Sequence, residues 1–343
     1  MQSFVGRAKP RPEADSTANA LGWVGAGRMG AAMIERLLEA GHSVIVYNRT
    51  SSKVSPLMAA GAVRARSISD LAGRKVVFIS VSSSDDLLAV TVGKDGLLAL
   101  EKPPEVIVDV STVSAEASAI VREKAAESGT AVVAAPASGN PGAVRAGRAT
   151  FAVSGPISAC ERVVPALMAI GANATYCGEG EAARLVKLCH NLFLASVIQS
   201  LVEVALLAEK GGVDRASFLS FLNGSVLGST FTGYKTPALV NLDFHPTFTS
   251  RLLRKDVELG LAAARDLEVP MPVAALVGQI VVRLVGEGYG EQDFAALIAM
   301  QAKAAGVDLE KRSALTAAKP PQTVAARGQI TVPAPEDARK GGN

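Results

Sequence analysis

The strongest constraint on the fold is a change of rhythm near residue 180. Between Leu21 and about Glu179, the β-rich runs "LGWVG", "SVIVYN", "KVVFIS", "VIVDVS", "AVVAAP" and "TFAVSG" are separated by turn residues or amphipathic segments. Such alternation predicts a parallel sheet covered by helices. From Glu181 to about Leu309 the strand signals stop. Apolar residues then recur at helical spacing in "ARLVKLCHNLFLASVIQSLVEVALLAEKGG", "DRASFLSFLNG", "LLRKDVELGLAAARDLEV" and "PVAALVGQIVVRLVGEG". The expected fold class is an α/β N-terminal domain, residues 20–180, followed by an all-α C-terminal domain, residues 181–311. A chain of 343 residues is long enough to bury two such cores. Residues 1–19 are polar and proline-bearing, and residues 312–343 lack a sustained amphipathic period, so both are expected to be disordered.

Charge excludes some function classes. The chain carries 35 basic and 32 acidic residues without a basic block, which argues against a nucleic-acid surface. Gln199, Glu203 and Glu209 interrupt the longest apolar helix, a pattern that fits a buried soluble helix better than a membrane span. Cys160, Cys177 and Cys189 are scattered and histidines number only 3, so neither a disulfide framework nor a metal site is expected. The opening "MQSFVGRAKPRPEADSTANA" has no continuous apolar stretch of the secretory kind, and a cytoplasmic location is expected.

One loop carries a specific chemistry. Gly25-Ala26-Gly27-Arg28-Met29-Gly30 follows a short apolar run and precedes a helical pattern with Met33, Leu37 and Leu38 on one side. In that context Gly25 permits the turn, Gly27 lets a pyrophosphate approach the backbone, and Gly30 lets helix and strand pack closely. The helix N-terminus offers free N–H groups to the phosphates. A dinucleotide site is the expectation. After the second strand, where an NAD site usually places an acidic residue, the chain reads Asn48-Arg49-Thr50-Ser51-Ser52-Lys53. Arg49 can clamp a 2′-phosphate bidentately, which favours NADP(H) over NAD(H); the competing reading is a solvated loop arginine.

Lys187 is the oddity of the helical half. It sits in a segment apolar on nearly every side, three residues before His190 and four before Asn191. Either the amine snorkels to water from near the helix start, or it has a function in the cleft between the two halves.

With these pieces in place, the sequence resembles the β-hydroxyacid dehydrogenases, a 3-hydroxyisobutyrate dehydrogenase-like group within the 6-phosphogluconate dehydrogenase superfamily. The motifs that carry the resemblance are the glycine loop, "DVSTV", "APASGNPGAVRAG", "KLCHN" and "RKDVELGLAAA", in the family's order between Leu21 and Leu309. The resemblance implies a Rossmann domain and an enzyme that moves hydride between nicotinamide and a small β-hydroxy acid or its semialdehyde. It implies Lys187 as general acid/base, with Asn191 one turn on holding a substrate hydroxyl or carboxylate. Val81 and Thr112 would lie beside the cofactor and Lys255 would reach it, with Phe248 lining the site. Thr112 also suits a helix N-cap, and Lys255 a surface ion pair with Asp256.

Ser138, Gly139 and Asn140 match the family's substrate loop and would meet a carboxylate; a purely structural turn is the alternative. Ala134 stands where the family usually has an acidic residue, Ala137 replaces a valine, and Asn140-Pro141 alters the second glycine. His190 is open between a pocket-packing role and substrate contact. A homodimer or higher homo-oligomer is implied, because the family buries its equivalent long helix against a partner. Two other functions stand beside this one. An imine reductase has a similar fold but generally carries aspartate or tyrosine at the Lys187 position. A non-catalytic dinucleotide-binding scaffold loses that lysine.

Overall fold

The computed structural model describes residues 20–309, so the expectations for 1–19 and 312–343 lie outside the described residues. The first half alternates as its rhythm predicts. It runs through β1 (Leu21–Val24), α1 (Arg28–Glu39), β2 (Val44–Tyr47), α2 (Ser55–Ala59), β3 (Val63–Arg64), β4 (Val76–Ile79), α3 (Ser84–Thr91), β5 (Val106–Asp109) and α4 (Ala115–Glu127). There follow β6 (Ala131–Ala134), β7 (Ala137–Ser138), α5 (Pro141–Arg145), β8 (Thr150–Ser154), α6 (Ile157–Ile170) and β9 (Asn173–Gly178). The strand order is β3-β2-β1-β4-β5-β6-β8-β7, with β9 paired to β8.

β1 through β6 run parallel, and β4 and β5 are buried at every position, as strands covered on both faces must be. The expected parallel sheet is present and becomes mixed at its far edge. β8 pairs antiparallel with both β6 and β7, so the sheet is mixed there. The chain returns through the short α5 rather than through a full crossover helix, which is the connection antiparallel strands allow. Winding reverses between β1 and β4, which opens a crevice at their carboxyl ends. Beneath it Trp23 stacks on Phe78 at a centroid distance of 5.1 Å, worth about 0.5–1.5 kcal/mol beyond the area buried.

No strand follows β9 among the described residues. The rest is α7 (Ala182–Lys210), α8 (Arg215–Gly224), α9 (Thr230–Asn241), α10 (Ser250–Asp266), α11 (Pro272–Leu284) and α12 (Leu297–Ala305). Side-chain caps set several starts: Asp214 for α8, Thr249 for α10, and a Ser229–Thr232 capping box for α9. α7 is the spine of this half. By length and composition it could cross a membrane, but half of its most apolar window is buried inside the protein. Its Glu209 meets the buried Arg215 at 2.9 Å instead of water. α10, α11 and α12 pack along α7. α10 comes closest at Gly260, where an added Cβ would lie 2.7 Å from Leu192 Cγ.

Candidate active site

The glycine loop has the shape a pyrophosphate requires. Gly25 has φ +97°, a left-handed conformation that favours glycine, and a Cβ there would sit 2.1 Å from the Ser80 carbonyl oxygen at the end of β4. A Cβ on Gly30 would lie 2.2 Å from the Gly25 oxygen, whereas one on Gly27 would meet nothing within 4 Å. α1 starts at Arg28 with no side-chain cap, so its first N–H groups and positive dipole end are available at that open face. The donors and the opening fit a dinucleotide.

Asn48 ties this loop to the segment after β2. Its Oδ1 accepts from Ala26 N at 2.8 Å, and its Nδ2 donates to the Thr50 oxygen at 2.8 Å. Arg49 is solvent-exposed with Nη1 3.4 Å from Asp86 Oδ1, and Lys53 closes the next turn. Met29 packs on the sheet core. The Arg28 side chain takes a direction not foreseen: its guanidinium donates to Pro246 O and Thr247 O, joining the loop to the helical half.

Lys187, near the start of α7, faces a narrow pocket lined by Ser111, Thr112, Val113, Pro136, Arg184 and Leu188. Among the described residues its Nζ takes no hydrogen-bond or ion-pair partner. Burial pushes its pKa down from 10.5 to about 8; Asp256 opposes the shift and Lys255 adds to it. Thr112 does not cap α4; Ser114 does, accepting from Ala117 N at 3.2 Å. Thr112 instead offers its carbonyl to Lys255 Nζ at 2.6 Å, and the residue lines the pocket. Lys255 also lies 3.2 Å from Asp256, which is the ion pair of the competing reading. Val81 N donates to Ser111 Oγ at 2.9 Å, bracing the end of β4 against the end of β5.

A hydrogen-bonded chain links the end of β7 to α10. Ser138 Oγ lies 2.9 Å from His190 Nε2, and His190 Nδ1 lies 2.9 Å from Asn191 Oδ1. Asn191 Nδ2 then donates to Asp256 Oδ2 at 2.6 Å. Two expectations change here. Asn191 is buried and its amide is engaged by His190 and Asp256, so it holds its neighbours rather than presenting itself to the cleft. Asn140 Oδ1 caps α5 by accepting from Ala143 N at 2.8 Å, a use that "NPGAVR" encodes. Gly139 has φ +137°, which turns the loop between Ser138 and that cap. Phe248 packs edge-on against Phe294 at 5.9 Å, and its N–H donates to the buried Asp293.

A cluster of residues outside the expected set fixes the start of α7. Arg184, fully enclosed, donates to Asp109 Oδ2 at 2.7 Å, Ser118 Oγ at 2.8 Å and the Ser111 carbonyl at 3.3 Å. Glu181 meets Arg184 at 2.7 Å and also pairs with Arg122 on α4. The signal was present in the sequence: an arginine one turn before Lys187 in an apolar helix is as conspicuous as the lysine. Asp109, ending an otherwise apolar strand, supplied its partner.

Comparison with known proteins agrees with this geometry. Residues 20–178 match the NAD binding domain of 6-phosphogluconate dehydrogenase, and residues 180–301 match the NAD-binding region of NADP-dependent 3-hydroxyisobutyrate dehydrogenase. A 3-hydroxyisobutyrate dehydrogenase of Pseudomonas aeruginosa is 31% identical over 264 residues, 75% of this chain and 89% of its own. The chain belongs to the β-hydroxyacid dehydrogenase family. This β-hydroxyacid dehydrogenase is also 30% identical to an NAD-dependent L-serine dehydrogenase of the same organism, over 81% of this chain and 96% of the relative. The solved Mycobacterium tuberculosis 3-hydroxyisobutyrate dehydrogenase with L-serine superposes at a TM-score of 0.74 and 26% identity, covering 82% of this chain and 99% of that one. An imine reductase from Pseudomonas sp., at 22% identity and a TM-score of 0.57, shares the fold alone. Members of the family are NAD(P)-dependent oxidoreductases, so the family membership bears out the resemblance, the Rossmann fold and an enzymatic function. Among the described residues no cluster of His, Cys, Asp and Glu is placed to hold a metal ion.

Proposed function

We propose that this enzyme is an NADP(H)-preferring oxidoreductase acting on a small β-hydroxy acid or the corresponding semialdehyde, with Lys187 as general acid/base. The observation that carries the reading is a lysine with no hydrogen-bond or ion-pair partner among the described residues, its pKa lowered to about 8, facing Thr112 across a narrow pocket. When bound, the nicotinamide accepts or supplies a hydride. As the carbinol carbon gives up its hydride, the hydroxyl proton passes to the neutral amine of Lys187 and leaves a carbonyl. In reduction the ammonium returns that proton to the carbonyl oxygen. Ser138 and the N–H groups around Gly139 hold the carboxylate, Lys255 and Thr112 flank the cofactor side, and Asn191 positions Asp256 and His190. An aspartate or tyrosine at position 187 would have favoured the imine reductase reading.

Arg49 and Lys53 support the NADP(H) preference, since nothing acidic follows β2 where a ribose 2′-hydroxyl would be held. NADPH oxidation across a panel of semialdehydes, keto acids and cyclic imines, with NADH in parallel, tests substrate and cofactor together. The expected result is turnover of carboxylate-bearing semialdehydes with NADPH. Activity confined to cyclic imines would overturn the substrate class. Arg49→Gln should raise KM for NADPH roughly tenfold to a hundredfold, the worth of a charge-assisted hydrogen bond, and leave KM for NADH unchanged. A wild type that prefers NADH would remove the role given to Arg49.

The outer face of α7 supports assembly with a second copy. Val186, Phe193, Val204 and Leu207 are exposed, and at 3.6 residues per turn their positions fall on one stripe, as on a helix that packs on another. Light scattering is expected to give at least twice the monomer mass, and a monomeric mass at micromolar concentration would refute it.

A further inference from the structure

Ser138 can do only one of two things with its proton, and His190 decides which. The buried carboxylate of Asp256 only accepts hydrogen bonds, so the Asn191 NH₂ faces it and Asn191 Oδ1 faces His190. His190 therefore carries its proton on Nδ1 when neutral. That leaves Nε2 as an acceptor, and the Ser138 hydroxyl 2.9 Å away must donate to it. A serine whose proton is committed in this way presents only lone pairs to the cleft. Such a face repels a carboxylate, and turning the O–H toward the acid would set two acceptors against each other across 2.9 Å.

We propose that His190 makes acid binding proton-linked: protonation at Nε2 reverses the bond, so that the ring donates to Ser138 Oγ and the serine O–H is freed for the substrate carboxylate. This deepens the proposed function and rests on its reading of Ser138 as a carboxylate contact. The surroundings disfavour the charged ring until an acid arrives. Burial, then the charge of Lys187, lowers its pKa below 6.5, with the bond to Asn191 opposing. Beyond Asn191, α10 presents Asp256 and Lys255, which meet at 3.2 Å. The strand β8 carries no ionisable side chain; β9 carries only Tyr176 and Cys177, which donate to the Gly155 and Thr175 carbonyls. No carboxylate contacts the ring directly among the described residues, so a bound acid brings the negative charge that favours the imidazolium.

The linkage is measurable without turnover. 3-Hydroxypropionate titrated into the NADPH-loaded protein forms a dead-end complex, and calorimetry at pH 7.5 in two buffers of different ionisation enthalpy counts the protons taken up. The wild type is expected to take up close to one proton more per acid bound than His190→Asn or His190→Gln. Its Kd should rise towards tenfold per pH unit between about pH 6.5 and 7.5, while both variants stay flat over that range. Ser138→Ala should weaken binding at about pH 6 by roughly tenfold. Equal proton uptake in wild type and both His190 variants, with Ser138→Ala still weak, would overturn the linkage and leave the carboxylate contact standing. Unchanged affinity in Ser138→Ala, or no binding by the wild type, would overturn both.

Discussion

Lys187→Ala is expected to lower kcat by about a thousandfold or more while NADPH binds with unchanged Kd. General acid/base groups contribute roughly 10²–10⁴-fold, and Lys187 supplies the one amine among the described residues that line the pocket. The lowered pKa gives the loss a pH signature with a definite sign. Oxidation needs the neutral amine, so its rate should rise as pH climbs through about 8 and then level. Reduction needs the ammonium, so its rate should be level below about 8 and fall above it. Opposite limbs in the two directions, both absent in the alanine variant, identify the lysine as the titrating group. Near-wild-type kcat in Lys187→Ala on the best substrate would exclude it.

Arg184→Met should destabilise the protein by about 3–5 kcal/mol, the usual effect of removing one member of a buried ion pair. Asp109 would be left enclosed with only the Ser111 N–H to satisfy it, at 2.9 Å. Urea unfolding reads the change as a lower midpoint. The double variant Arg184→Met, Asp109→Leu should recover part of the loss, because two apolar groups leave no orphaned charge. A single variant as stable as wild type would mean that the pair contributes nothing net to anchoring α7. The anchorage also fixes position. Arg184 lies one turn before Lys187 and grips the carboxyl end of β5, the strand that leads into Thr112, so it holds Lys187 and Thr112 in register across the pocket.

Much of this was legible because the relevant signals are local. Strands buried on both faces read as unbroken apolar runs, and "VVFI" and "VIVD" announce themselves without a neighbour. The glycine loop was legible for the same reason, since its steric demand falls on residues close in sequence. Elements with little sequence of their own were missed. β3 and β7 are two residues long, and β9 ends where the rhythm changes. The shorter helices α9 and α12 carry weaker stripes than α10 does. The antiparallel run of β8 is a matter of pairing, which no run of residues encodes alone. In the site, residue type pointed to Lys187 but not to what Asn191 touches. An asparagine can meet a substrate, an aspartate or an imidazole equally well, and only the approach of α10 decides. The cap that Asn140 makes on α5 was not foreseen, because a helix cap and a carboxylate subsite call for the same small polar residue.

The close approach of α10 to α7 at Gly260 bears on more than packing. Gly260 is one turn beyond Asp256 on the same face, and it rests on Leu192, the neighbour of Asn191. A methyl group at position 260 would push the two axes apart at that level and stretch the 2.6 Å bond between Asn191 and Asp256. Asp256 is the charge that holds the Lys187 pKa up against burial, so a wider gap would let the amine become a weaker base. The absence of one carbon atom at position 260 thus helps to set the basicity of the Lys187 amine.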